Sequence, residues 1–117
     1  SYRVLNKKSM TIDIDSLLDA EIIKTEEDSR TQTLDVTLLL DATEPIHAHQ
    51  KKLRFEHVTF YSRSEIPKEG YPVILEISEV VPEIEKSFDN DQSRRRFKID
   101  TTSGIVILEF ATCYLVD

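Results

Sequence analysis

The sequence has no tryptophan, one cysteine, one methionine, two glycines and four prolines in 117 residues. Each scarcity excludes something. A single cysteine, Cys113, cannot close an internal disulfide, so a cystine-built secreted fold is excluded. Cys113 sits inside an apolar C-terminal run, which marks it as a small buried hydrophobe, and no base stands beside it to make it a nucleophile. Two glycines leave little backbone freedom for a tight anion cradle. No Gly-rich phosphate loop, Ser-His-Asp spacing or Cys/His zinc pattern occurs. No run of eighteen apolar residues is present, so no membrane-spanning helix is expected. The first ten residues carry Arg3, Lys7 and Lys8 without an apolar stretch, unlike a secretory leader. The expectation is a cytoplasmic protein without a cofactor.

What is present fits one domain. The chain length suits a single hydrophobic core, and hydrophobic residues, at 39%, are clustered in runs. Residues 1–16 lack a clear pattern and are expected to attach loosely, with a short edge strand over 2–5 and a helical turn at 15–18 capped by Asp15. Twenty-two acidic residues against fifteen basic ones give a formal net charge of −7. That balance disfavours nucleic acid and leaves a basic protein partner open.

Apolar residues recur mostly at spacing two, the period of strands. Residues 20–28 and 32–41 read as a hairpin, with Leu34, Val36, Leu38 and Leu40 on one face. Residues 47–61 slip in phase: Leu53 and Phe55 agree, Val58 and Phe60 fall opposite. One extra residue near Glu56 and His57 restores the alternation, which predicts a bulge or bend there. Residues 72–81 read as a strand with Val73, Leu75 and Ile77 on one face, followed by a short helix or irregular edge at 82–86 and a polar loop at 89–93. Phe97 and Ile99 point inward from the next strand, and Gly104 closes a hairpin. Residues 105–116 are apolar in both phases and read as one long central strand, one of whose faces a second copy of the chain could cover. About seven strands with at most one or two short helices give an antiparallel β-sandwich or a partly open barrel.

Four features carry candidate chemistry. His47 and His49 lie two apart; on a strand they would face the same way and could hold one metal, with Glu56 and His57 following. The pattern is similar to the cupin metal motif, although Glu56 lies too far on and the flanking glycines are missing. The competing reading is two exposed polar residues. Arg94, Arg95 and Arg96 could grip a phosphate or a carboxylate-rich partner. They resemble the arginine motif of PilZ domains, but the Asp100-Thr101-Thr102-Ser103-Gly104 stretch follows at the wrong spacing. The competing reading is a solvated strand start. Glu109 stands alone among apolar residues: a ligand or proton-transfer group if buried, otherwise the partner of a basic residue on the next strand. The acidic stretches Glu26-Glu27-Asp28 and Glu83-x-Glu85 read as solvated faces, or as contacts for a basic partner.

Three segments share a resemblance: Leu18-Asp19-Ala20-Glu21-Ile22, Leu53-Arg54-Phe55-Glu56-His57-Val58, and Phe97-Lys98-Ile99-Asp100-Thr101-Thr102-Ser103-Gly104 running into Ile107-Leu108-Glu109-Phe110. Their order resembles small bacterial all-β proteins encoded near polymorphic toxin genes and classed as immunity-like. Leu18 stands where a His of that pattern would be, so no role of that His transfers. The resemblance implies a non-catalytic protein that binds another protein, a basic toxin domain in particular. The alternative from the residues is a small-ligand or metal-binding barrel built on His47 and His49, with His57 or Glu109 as a further ligand.

Overall fold

Alternating apolar residues build eight strands in the computed structural model, which describes residues 13–64, 69–80 and 94–116. They are β1 (Glu21–Asp28), β2 (Thr33–Leu40), β3 (His49–Glu56), β4 (Phe60–Arg63), β5 (Ile74–Val80), β6 (Arg95–Thr101), β7 (Gly104–Phe110) and β8 (Thr112–Val116). Two four-stranded antiparallel sheets result, ordered β1-β2-β3-β8 and β4-β7-β6-β5. This is the expected sandwich. Helix is confined, among the described residues, to two 3-10 turns, Ile14–Leu17 and Pro45–His47. Asp13, not Asp15, caps the first turn by accepting from the Asp15 amide, and Leu17 anchors it in the core. The strand expected at 2–5, the helix at 82–86 and the loop at 89–93 lie outside the described residues.

The hairpins form with little help from glycine. Between β1 and β2 the Asp28 carboxylate accepts from the amides of Arg30 and Thr31, and Gln32 takes the positive φ of 58°. Between β6 and β7 only Thr102 and Ser103 intervene. Thr101 Oγ1 accepts from the Ser103 amide and donates to the Gly104 carbonyl, while Gly104 sits at φ 135°.

One corner joins the two sheets. β3 pairs with β8 in the first sheet, and their continuations β4 and β7 pair in the second. The last pair before the corner is Glu56 with Thr112; the first after it is Phe60 with Glu109. Residues 57–59 therefore face only residues 110–111. The extra residue expected near His57 is there, with His57 at φ 56°. Its effect differs from the expectation: Val58 and Tyr61 pack against the core, while Phe60 turns outward. Amide bonds from Val58 to the Gln32 carbonyl, Thr59 to Glu109 and Ala111 to Glu56 hold the turn.

Residues 105–116 are consequently two strands, not one. The run is apolar in both phases because its inward face changes at Ala111. Leu108 and Phe110 point inward before it, and Cys113 after it. Burial pushes the Cys113 thiol up to about 12, so it stays protonated. β5 also departs from the expected phase. Ile74 is fully buried and Leu75 is 54% exposed, and a register shift between Ile74 and Glu76 then returns Ile77 to the core.

Three phenylalanines lock the sheets together beside the corner. Phe55 and Phe110 pack edge-to-face at 4.9 Å, Phe97 and Phe110 at 4.8 Å, and Phe55 and Phe97 at 6.3 Å. The inward phase of β5 is directly measurable. Ile74→Ala should lower unfolding free energy by roughly 2–5 kcal/mol, whereas Leu75→Ala should change it by less than about 0.5 kcal/mol, both read from urea denaturation.

Candidate functional site

The three arginines do not converge. Arg94 donates to the His57 carbonyl at 2.8 Å and so fastens the corner. Arg95 forms a two-pronged pair with Glu79 on β5, at 2.7 and 2.6 Å, and its guanidinium lies 5.4 Å from the Phe97 ring centre. Arg96 faces the other way. It pairs with Glu109 on the neighbouring strand β7, and its guanidinium stacks 5.1 Å from the Phe60 ring centre. Glu109 is only 5% exposed, although it points away from the core. Charge pairing across strands is thus how this carboxylate tolerates burial. Phe60, Glu109, Arg96 and Val80 form one row across the outside of the second sheet.

The histidines are also dispersed. His47 belongs to the second 3-10 turn and His49 opens β3, so the strand alternation that would align them does not apply. His49 Nδ1 donates to the His47 carbonyl at 2.9 Å and lies 4.0 Å from the Asp41 carboxylate. His57 occupies the corner at the other end of β3. Among the described residues, no three His, Cys, Asp or Glu side chains are grouped to hold a metal. A gap between the sheets, lined by Arg63, Thr101 and Ser103 among others, has a volume near 30 Å³, enough for one water.

Sequence reading missed a network on the outside of the first sheet. Arg54 holds Asp35 through two bonds, 2.8 and 2.9 Å. Glu56 accepts from Thr112 Oγ1 at 2.9 Å and from the Tyr114 hydroxyl at 2.8 Å. Burial, reinforced by the Glu56 carboxylate, keeps the Tyr114 phenol protonated above its ordinary range. No local signal pointed here, because the partners are 19 to 58 residues apart.

A second feature missed from sequence is the seam where the sheets meet opposite the corner. Glu21 on β1 bridges Val73 just before β5. The Ile22 amide donates to the Pro72 carbonyl and the Ile74 amide to the Ala20 carbonyl, at 2.8 and 2.9 Å. Ala20 and Ile74 point into the core, so alternation turns Tyr71, Val73 and Leu75 outward. Tyr71 is 52% exposed. The bridge puts Glu21 alongside that stripe, the Asp19 amide donates to the Ile74 carbonyl from a turn with φ 71°, and Glu69 and Glu76 flank the stripe in sequence. Both edge strands carry irregular register next to the seam, between Ile22 and Lys24 and between Ile74 and Glu76. Bulges of this kind discourage backbone pairing with another strand, so contacts here would be made by side chains.

No family model matches the chain, and no curated protein or solved structure matches it either. The functional reading therefore rests on the residues and their placement.

Two ion pairs set an acid limit on stability. The Arg54 guanidinium hydrogen-bonded to Asp35 holds its carboxyl below the usual carboxylate range, and Arg95 does the same for Glu79. A carboxylate whose pKa is depressed by folding contributes its stability fully above the unfolded value, near 4. That contribution is lost as pH falls through the lower folded value. Urea midpoints should drop below about pH 4, and Asp35→Asn should make the acid limb shallower.

Proposed function

We propose that this domain is a non-catalytic protein-binding module of the immunity type, which neutralises a basic partner through the β1–β5 seam. One observation carries the reading: an outward apolar stripe, Tyr71, Val73 and Leu75, with Glu21 bridged to it and Glu69 and Glu76 flanking it in sequence. Aromatic and aliphatic anchors supply contact energy when they are desolvated, and surrounding acids steer a basic partner into register. The net charge of −7 supports the same choice of partner. The resemblance to immunity-like proteins names a biological setting in which such a module neutralises a toxin domain.

A second association has its own supporting observation. Ile105 and Ile107 face outward from β7, the strand the sequence marked for a self-contact, and Ile105 and Phe60 are solvent-exposed there. A homodimer through that face is compatible with an open seam. Analytical ultracentrifugation would show it as a concentration-dependent dimer that Ile105→Asp abolishes.

For the partner, the full chain is immobilised and exposed to extract of its native host. A basic protein should be retained at low salt and released as salt rises. Tyr71→Ala combined with Leu75→Asp should weaken that binding by roughly 30-fold or more, the loss of a hot spot. His47→Ala with His49→Ala should leave it unchanged. Retention insensitive to the seam substitutions would remove the seam from the account.

A further inference from the structure

We propose that the outside of the first sheet holds a binding site for a phosphate-type oxyanion, built on Thr37 between Lys24 and Lys52. This site is separate from the seam and does not rest on the protein-binding reading. Lys24 pairs with Thr37, Thr37 with Lys52, and Lys52 with Val116, so the four residues form one row across the sheet. The row floors a groove of about 610 Å³ that Gln50 and Lys51 also line.

Thr37 is the unusual member. It lies on the outward face, yet it is 6% exposed, and its Oγ1 has no hydrogen-bond partner among the described protein groups. A hydroxyl needs an acceptor for its proton, and both flanking side chains are lysines, which can only donate. The nearest carboxylate on its own strand is committed: Asp35 takes both bonds from Arg54. An oxyanion oxygen placed over Thr37 would supply the missing acceptor.

The charges agree. In a chain of net charge −7, this row carries two ammonium groups and no carboxylate. Glu26 approaches Lys24 only to 3.9 Å, with both side chains more than half exposed, a contact weak enough to yield to a doubly charged anion. Lys24 and Lys52 stand on strands either side of β2, about 10 Å apart at their roots, and their long stems can bring both heads onto one group between them. Lysine binds as a mobile point charge without the planar fork of a guanidinium, so this flexible pair fits a multiply charged phosphate better than a planar carboxylate. Gln50 and Val116 would meet whatever is attached to the phosphate.

Backbone amide NMR of the full chain, titrated with inorganic phosphate against chloride at matched ionic strength, tests the site. Saturable shifts centred on residues 24, 37, 50 and 52 are expected, present with phosphate and absent with chloride. Thr37→Val, close in shape but without the hydroxyl, should weaken phosphate binding about tenfold. It should leave the urea midpoint of the unliganded chain unchanged or higher, and Thr37→Ser should retain binding. Lys52→Met should weaken binding as well. Glycerol 3-phosphate, run alongside, separates the sources. Tighter binding than inorganic phosphate points to an ester as the ligand, and equal or weaker binding to the free anion. Shifts that stay linear in concentration, that chloride reproduces, or that persist unchanged in Thr37→Val would overturn the proposal.

Discussion

An extra residue on one side of a two-stranded ribbon lets the chain leave one sheet and enter the other. The ribbon is β3 and β4 on one side and β8 and β7 on the other, and residues 57–59 oppose only 110–111. Without that mismatch the ribbon would continue flat and the two sheets would have no covalent corner. Its inner side places Phe55 before the turn and Phe110 at it, where Phe97 completes a three-ring contact between the sheets. Its outer side is tied by Arg94 to the His57 carbonyl. The opposite corner is lighter, a single bridge between Glu21 and Val73 with its flanking amide bonds.

This arrangement decides where chemistry can reside. Residues that look reactive in the sequence are used for holding strands together. Arg95 ties β6 to β5 through Glu79, and Arg96 ties β6 to β7 through Glu109. The two surfaces proposed to meet other molecules are of another kind: an exposed apolar stripe at the seam, and on the first sheet a buried hydroxyl without a partner among the described groups, flanked by lysines. Because bulges sit beside the seam, the recognition proposed there would rely on side chains and charge, which favours specificity over the indiscriminate pairing that a flat edge invites.

How far the sequence was legible follows from local physics. β2 alternates between polar and apolar from Thr33 to Leu38, and its inward face was read correctly, as were Phe97 and Ile99. The extra residue near His57 was visible as a phase slip. Two stretches misled because they are apolar in both phases. Residues 105–116 resemble one buried strand when they serve two sheets in turn, and Val73, Ile74 and Leu75 allow either face inward until the bulge selects Ile74. The sites were less legible still. Asp35 with Arg54, and Glu56 with Tyr114, become neighbours only through register. The seam joins residues about fifty apart in sequence, and nothing in either segment alone announces the other. The histidine pair failed as a strand motif because Pro45 opens a 3-10 turn that carries His47.

The arginine run and Glu109 are committed to holding strands together, and the proposed recognition surfaces lie elsewhere. A double-mutant cycle on Arg96 and Glu109 tests that commitment most directly, with unfolding free energy measured for Arg96→Met, Glu109→Leu and both together. Each single change strands a nearly buried charge and should cost roughly 3–5 kcal/mol, and the pair of apolar replacements should recover most of that loss. Single variants as stable as the parent, or a double variant no better than either single one, would contradict the account and return Arg96 and Glu109 to the candidates for a functional site.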